Sequence, residues 1–163
     1  MFEYLMPLLV MRSLPFTLLD QTYLSVVDRH EGYARARGVP WGTSESAYNL
    51  RDRHQTYQYR AFGVADLALK RGLGRDLVIA PYATALAAMY DAPAASANFS
   101  HLEHAGGLGP YGFYEALDFT PVRLREHDRV AVVRAYMAHH QGMSLVALAN
   151  VLLDSVMRRR FHR

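Results

Sequence analysis

The chain has 163 residues, of which 51% are hydrophobic and 20% charged, a composition typical of a soluble globular domain or part of one. It contains no cysteine, which excludes a disulfide framework, a thiolate metal site and a cysteine nucleophile. Much of the net charge of +3 lies in the basic run 158–163, and the preference of cations for helix C-termini explains this run better than nucleic-acid binding does.

The first ten residues are apolar, but a glutamate and a proline interrupt them, so we expect neither a membrane-spanning helix nor a signal peptide there. The next segment has the clearest helix signature. Thr17 is a suitable N-cap with a carboxylate three positions later, apolar residues recur every three or four positions, and Gly38 follows two arginines. This pattern predicts a helix over 17–38 with one buried face.

A turn is predicted at 38–42, where two glycines and a proline surround Trp41. A tryptophan in such a turn is either a plug of the core or a platform for a ligand, and the sequence leaves both alternatives open. Residues 43–46 could begin a helix or line a loop. The aromatic pattern of 57–62 suits an extended segment, and 65–71 is compatible with a short helix that ends before a glycine.

Prolines mark the starts of two further helices, predicted over 81–90 and 93–105 and joined as an antiparallel pair. Residues 130–133 form either a short strand or the first turn of a helix that carries 134–140. A last helix is predicted over about 144–160 from its apolar periodicity. The architecture expected from these elements is mainly all-α, with helical hairpins separated by long, aromatic and glycine-rich loops.

Paired carboxylates are the residues required to break a glycosidic bond, one as acid and the other as nucleophile or base. Glu45 and Glu115 stand out because glycine-rich turns and aromatic residues flank each of them. Aromatic rings provide flat surfaces on which sugar rings can stack. The alternative for either glutamate is a helix cap or a buried ion pair with an arginine such as Arg51 or Arg134. The carboxylates considered are Glu3, Asp20, Glu45, Glu115 and Asp118.

Adjacent histidines form the second polar cluster, followed by Gln141. On a helix, His139 and His140 point about 100° apart, so they do not form the one-faced pair of a zinc site, and we predict no metal. We expect one histidine to face a ligand cleft and the other to be satisfied in the core. No phosphate-binding or dinucleotide-binding glycine motif occurs, so no cofactor is predicted.

Several segments together resemble the glycoamylase-like domain of cyclic β-1,2-glucan synthases, and the resemblance spans essentially the whole chain. The segments are 2–7, 38–49, 57–59, 69–73, 76–82, 111–116 and 137–143. The resemblance implies an (α/α)6 toroid, of which this chain would be a part. It therefore implies that residues 1–163 are the C-terminal portion of such a domain and a fragment of a larger multidomain protein.

The function that the resemblance implies is carried out by three regions of one large synthase. A glycosyltransferase elongates a β-1,2-glucan, the middle domain closes it by transglycosylation, and a phosphorylase-like region trims its length. The implied partners are thus β-1,2-glucan and these two other regions. The implied location of the parent protein is the bacterial inner membrane, with this domain on the cytoplasmic side, whereas the chain itself is expected to be soluble.

The resemblance also implies site residues, because the Ser-Glu-Ser and Tyr-Glu-Ala segments face the sugar cleft. It favours Glu45 and Glu115 as the catalytic carboxylates of a retaining transglycosylase or hydrolase, and it leaves acid and nucleophile unassigned. A non-catalytic glucan-binding or scaffold module of the same synthase is the alternative, and an incomplete chain without a stable fold is a third interpretation. The predicted substrate-binding residues are Glu3, Trp41, Tyr57, Tyr111, Tyr114, His139, His140 and Gln141.

Overall fold

The computed structural model describes residues 1–68 and 70–162, and within them the chain forms six α-helices and seven short strands. The helices are α1 (Phe2–Leu5), α2 (Leu18–Arg35), α3 (Pro81–Ala88), α4 (Ala92–His104), α5 (Ala138–Leu152) and α6 (Val156–Phe161). The strands are β1 (Ser46–Arg51), β2 (Tyr57–Arg60), β3 (Val78–Ile79), β4 (Leu108–Gly109), β5 (Gly112–Phe113), β6 (Ala116–Asp118) and β7 (Ala131–Val133).

The prediction of a mainly all-α toroid is wrong, because the chain is 46% helical and 14% strand and has mixed α/β character. Three small antiparallel sheets are present, with strand orders β1–β2, β3–β6–β7 and β4–β5. Most of these strands are only two or three residues long. An alternating pattern cannot be recognised over so few residues, which is why the sequence suggested loops.

The first long helix agrees with its prediction. The Thr17 hydroxyl accepts the backbone N–H of Asp20 at 3.2 Å and so caps the first turn of α2. Gly38, with φ +64°, follows the helix end in the left-handed region. The buried face of α2 includes Tyr23 and Val26, as the apolar periodicity indicated.

The pair α3 and α4 is also confirmed, and α3 is the centre of the helical layer. All eight residues of α3 are buried, and the helix packs against α4 and α5. A helix that is apolar on every side is stable only when it is surrounded. Pro81 begins α3, while α4 begins at Ala92, where the Asp91 side chain accepts the N–H of Ala94 at 2.9 Å.

The C-terminal third departs from the prediction in two places. Of the two alternatives for 130–133, the strand is correct, and 134–137 is not helical because α5 begins only at Ala138. The single helix predicted over 144–160 is wrong, since it is divided into α5 and α6. Asp154 and Ser155 both have positive φ, 48° and 56°, and this left-handed pair interrupts the helical path.

Three other predicted segments lie around the first sheet. Residues 43–46 lead into β1 and do not begin a helix, while β2 confirms the extended conformation expected near 57–62. The short helix considered over 65–71 is not observed in its first part, since residues 65–67 form a turn, and residue 69 lies outside the described residues.

Side chains of the last two helices hold the N-terminal segment. The carbonyl oxygens of residues 8–10 accept hydrogen bonds from Arg158 Nε at 2.6 Å, Asn150 Nδ2 at 2.9 Å and His162 Nε2 at 2.8 Å, respectively. These bonds join positions that are 141 to 152 residues apart. No helix in 1–68 or 70–162 has both the length and the apolar character that crossing a bilayer requires.

Candidate active site

A polar cluster forms where the sheets meet the first turns of α3 and α5. Strand β1 packs against β6 and β7, which brings together residues from distant parts of the chain. The members of this group, called the Glu115 cluster below, are Ser44, Glu45, Tyr59, Tyr82, Glu115 and His140.

A close approach of two backbone segments places the first two members. The carbonyl oxygen of Gly42 accepts the N–H of Ala80 at 3.0 Å, just before α3. Gly42 has φ +120°, and a Cβ there would lie 3.2 Å from the Ala80 carbonyl oxygen. Only glycine fits this position without strain. The turn predicted at 38–42 therefore holds Ser44 and Glu45 against the start of α3.

Glu115 is the buried carboxylate of the cluster, with 2% of its surface exposed. Its Oε1 accepts the backbone N–H of Ala47 at 3.1 Å, and His140 Nδ1 lies 2.9 and 3.0 Å from Oε1 and Oε2. Hydrogen bonds of this kind are what make a buried carboxylate tolerable. The contacts with Ala47 and His140 fix the orientation of this carboxylate.

His140 is fixed on several sides and is only 1% exposed. Besides its bond to Glu115, its ring stacks on Tyr82 with centroids 3.8 Å apart and an interplanar angle of 14°. Its Nε2 lies 3.4 Å from the Tyr59 hydroxyl. The imidazole therefore has a single defined orientation between the two phenols and the carboxylate.

Glu45 is half-buried and is held by two tyrosines. Its Oε1 accepts the Tyr59 hydroxyl at 3.0 Å, and its backbone carbonyl accepts the Tyr82 hydroxyl at 3.1 Å. Ser44 Oγ lies 2.8 Å from the same Tyr82 hydroxyl. Burial, followed by the hydrogen bond to Glu45, raises the pKa of Tyr59, and burial raises the pKa of Tyr82. Both phenols therefore remain neutral donors at physiological pH.

A cavity of about 240 Å³ adjoins the cluster and is lined mainly by apolar and aromatic side chains. Five predicted site residues line it: Tyr111, Tyr114, Glu115, His140 and Gln141. The amide of Gln141 donates to the Phe113 carbonyl oxygen at 3.2 Å, which orients that side chain at the cavity wall. Apolar walls with a few fixed polar groups are typical of small-molecule sites.

Gly109 permits the aromatic packing at the edge of this cavity. The rings of Tyr114 and Tyr136 have centroids 5.2 Å apart beside it. A Cβ at Gly109 would lie 2.5 Å from Tyr114 Cζ and 2.5 Å from the Tyr136 hydroxyl oxygen. Gly109, which has no side chain, is thus required for the position of these tyrosines.

Other predicted site residues do not line the cavity. Trp41 is 8% exposed and packs in the main core, which corresponds to the plug alternative. Glu3 is exposed on α1, away from the cavity lining. The Tyr57 ring is covered by the Arg51 guanidinium, whose Cζ lies 4.2 Å from the ring centroid.

His139 lies at the exposed edge of the Glu115 cluster, with its ring centroid 4.0 Å from that of His140. One potential ligand atom from each of Glu45, His139 and His140 lies within 4.8 Å of the others. A group of this composition can bind a metal ion, but these histidines belong to the first turn of α5, whose positive dipole end opposes a cation. That no metal binds here therefore stays a prediction.

Tyr59, Tyr82 and Ser44 were not predicted as site residues. The only available signal was the spacing of two in Tyr57-Gln58-Tyr59, which places both tyrosines on one face of a strand. The role of Tyr82 depends on contacts with residues 37 and 38 positions away, so no local pattern indicates it.

Comparison with known proteins identifies the class of this domain. Residues 9–163 match the Glycoamylase family, described as "Putative glucoamylase", and the chain belongs to this family. The resemblance predicted from the sequence motifs is thereby confirmed.

A relative with a curated name is the cyclic beta-(1,2)-glucan synthase NdvB of Rhizobium meliloti (strain 1021). The two sequences are 52% identical over 162 residues, which is 99% of this chain and 6% of that protein. The chain therefore spans only a small part of the relative's length. Family and relative together support a carbohydrate-related role.

Proposed function

We propose that the chain contributes the reacting carboxylates of a domain that cleaves and re-forms glycosidic bonds in β-1,2-glucan, by transglycosylation or hydrolysis. The observation that carries this proposal is the linkage of Glu45 and Glu115 through Tyr59 and His140 beside an aromatic cavity. Two carboxylates in different environments are the usual catalytic residues for this chemistry.

The two environments suggest different roles. Glu115 is held in one orientation by the Ala47 N–H and the His140 ring, which suits a nucleophile that must be aimed at one atom. Glu45 is half-buried, and within residues 1–68 and 70–162 the one hydrogen bond of its carboxylate is with a neutral hydroxyl, which suits a group that gains and loses a proton. Glu45 would protonate the leaving oxygen while a Glu115 oxygen bonds to the anomeric carbon. A second sugar hydroxyl would then attack that carbon, transfer its proton to Glu45 and release Glu115.

The cavity would bind one part of the glucan. Its volume of about 240 Å³ is below the roughly 300–1,000 Å³ of pockets for drug-sized ligands, so it suits a group as small as a single sugar ring. Tyr111 and Tyr114 would stack against sugar faces, while His139 and Gln141 would bind hydroxyl groups. The remaining sugar units would lie outside this cavity.

The proposal includes a larger protein as the working unit. Because the named relative is far longer than this chain, we infer that residues 1–163 form part of a domain within a multidomain synthase. Its partners would be a glycosyltransferase region and a phosphorylase-like region of the same polypeptide. That polypeptide would lie at the bacterial inner membrane, with this domain on the cytoplasmic side.

The test uses the complete polypeptide that contains this chain and linear β-1,2-gluco-oligosaccharides as substrate. We expect Glu45→Gln and Glu115→Gln each to lower turnover by about 10³-fold or more, since each removes a reacting group. Exposed Glu103→Gln is the matched control and should leave turnover unchanged. Circular dichroism would verify the fold of each variant. Turnover retained by both cluster variants would contradict the proposal.

The alternative function is a non-catalytic glucan-binding module, and the exposed ring of Tyr111 favours it. This side chain is 84% exposed at the cavity, as expected of a stacking platform. For such a module, Tyr111→Ala would weaken binding of β-1,2-linked oligosaccharides, while neither glutamate variant would change product formation. A β-1,4-linked oligosaccharide serves as the control ligand in both assays.

A further inference from the structure

A continuous hydrogen-bonded chain connects the two carboxylates of the cluster. It runs from Glu115 to His140 Nδ1 at 2.9 Å, from His140 Nε2 to the Tyr59 hydroxyl at 3.4 Å, and from that hydroxyl to Glu45 Oε1 at 3.0 Å. Each link joins groups that can carry, donate or accept a proton.

The number of protons available to this series of hydrogen bonds limits the protonation states that it can adopt. The Tyr59 hydroxyl has one proton but two acceptors within reach, Glu45 Oε1 and His140 Nε2. In the proposed function Glu115 reacts as a carboxylate, which can only accept, so its 2.9 Å contact requires His140 Nδ1 to be the donor. If Tyr59 donates to Glu45, then His140 Nε2 must carry a proton to complete its contact with the phenol oxygen. If Tyr59 donates to His140, then Glu45 must carry the proton instead.

We propose that Glu45 and His140 share one proton through the Tyr59 hydroxyl, so that Tyr59 and His140 are positioning residues that govern when Glu45 is a carboxylic acid. The exchange is balanced. The Glu45 proton moves to the Tyr59 oxygen as the Tyr59 proton moves to His140 Nε2, and the reverse movement restores the first state. This inference rests on the proposed function, in which Glu45 supplies a proton to the leaving oxygen.

The phenol of Tyr59 relays the proton but does not store the negative charge. Burial and the Glu45 contact raise its pKa, so the tyrosinate form is disfavoured. Charge is therefore carried by the two ends of the shared pair, Glu45 and His140.

Other titratable groups lie around this series of hydrogen bonds and affect it electrostatically through space. Tyr82 stacks on His140, and His139 lies beside His140 on the same helical turn. The amino group of Met1 interacts electrostatically with Glu45. A test must therefore separate transfer through the Tyr59 hydroxyl from these direct charge effects.

Transfer through the hydroxyl and direct charge effects can be separated by exchange of the histidine C2 hydrogen with deuterium in the complete polypeptide. The exchange is followed by mass spectrometry at a series of pH values. The measured quantity is the pH midpoint of exchange for His140, with His139 read in the same spectra. Glu45→Gln should move the His140 midpoint about one pH unit lower, because it removes the anion that holds the proton on the imidazole. In a Tyr59→Phe background the same change should have a smaller effect, because only the direct charge interaction between atoms within 4.8 Å of each other remains.

The control variant changes a tyrosine in the same sheet as Tyr59. Tyr48→Phe removes a hydroxyl from β1 outside the chain of hydrogen bonds and should preserve the full effect of Glu45→Gln on His140. The effect of Glu45→Gln on His139 acts through space and should be the same in every background. An equal effect on His140 with and without the Tyr59 hydroxyl would overturn the proposal.

A second variant keeps the test decisive if Tyr59→Phe fails to fold. Glu45→Asp keeps the charge but withdraws the carboxylate from the 3.0 Å contact. It should lower the His140 midpoint as Glu45→Gln does, whereas an unchanged midpoint would mean that charge alone acts. None of these measurements requires turnover. Failure of the proposed function, seen as activity in both glutamine variants, is thus distinguishable from failure of proton sharing.

Discussion

Two buried carboxylates three positions apart, Glu115 and Asp118, have very different partners. Asp118 is 0% exposed and accepts Arg123 Nε at 2.6 Å and Nη2 at 3.0 Å. Glu115 is paired instead with His140. A guanidinium stays charged at every accessible pH, whereas an imidazole changes charge near neutrality. Asp118, in β6, thus forms a permanent ion pair, and Glu115, immediately before β6, forms an adjustable pair for which we propose a role in chemistry.

The Asp118 pair belongs to a wider group that stiffens the sheet. Backbone N–H groups of Asn49 and Thr120 also donate to the Asp118 carboxylate, each at 3.0 Å. Arg123 extends the group to Asp76 at 2.5 Å, and Arg60 completes it at the surface. These contacts hold β1 and the segment after β6 in place, and so stiffen the strand that immediately follows Glu115.

The largest expected effect comes from breaking the permanent pair. Asp118→Asn should lower the free energy of unfolding by about 3–5 kcal/mol, since it leaves a largely buried guanidinium without its main partner. Urea unfolding followed by circular dichroism measures this change. Asp128→Asn, at an exposed position, is the control and should stay within about 0.5 kcal/mol. Equal stability of the two variants would refute a structural role for Asp118.

A smaller loss of stability is expected at the adjustable pair. Glu115→Gln should cost about 1–3 kcal/mol, because the amide oxygen can still accept from Ala47 but one contact to His140 is weakened. The same urea experiment applies, with Asp118→Asn as the reference. If Glu115→Gln destabilised the chain as much as that reference, both carboxylates would be structural and the contrast between them would be lost.

The Glu115 cluster should also make stability depend on pH at the alkaline end. Burial raises the pKa of Tyr82 above its unfolded value near 10. Between the pKa of Tyr82 in the unfolded chain and its pKa in the native chain, the unfolded chain has lost the proton and the native chain keeps it. The free energy of unfolding that depends on this proton is therefore fully present below about pH 10 and falls above it. The slope contributed by Tyr82 should reach about 1.4 kcal/mol per pH unit. Urea unfolding from pH 9 to 11 should be flatter for Tyr82→Phe, and an unchanged slope would contradict this assignment.

The smallest effect is expected at the exposed end of the Asp118 group. Arg60 pairs with Asp76 at the surface, where side-chain entropy and solvent screening oppose the ion pair. Arg60→Ala should therefore cost less than about 1 kcal/mol. A loss comparable with that of Asp118→Asn would show that the whole group acts as one unit, and a double variant with Asp118→Asn would measure the coupling.

The contrast between the helical layer and the sheets also explains what the sequence could predict. The capping residues of α2 and the prolines in the first turns of α3 and α4 are local signals, and these helices were predicted correctly. The three-stranded sheet depends on pairing between distant segments, since Val78 of β3 lies opposite Asp118 of β6. Strands held by such contacts have little local signature.

The candidate site was predictable to the same extent. Glycine and aromatic neighbours singled out Glu45 and Glu115, which the structure brings into one hydrogen-bonded cluster. The alternative of an ion pair between one of these glutamates and an arginine such as Arg51 or Arg134 is not observed in the described residues. The buried carboxylate of Asp118 is instead paired with an arginine, Arg123. Trp41 carried the same local signals as a binding residue but packs in the core, because the fold around it decides which side of a turn faces solvent.

The contacts that tie residues 8–10 to the last two helices have a consequence for how the polypeptide is made. Their partners, Asn150, Arg158 and His162, leave the ribosome more than 140 residues later. Closing so long a loop is entropically costly and slow. The apolar start of this segment, including Leu5 and Leu8, therefore has no complete docking surface during synthesis. We expect a chaperone that binds short apolar stretches to associate with this segment and to be released when α6 emerges.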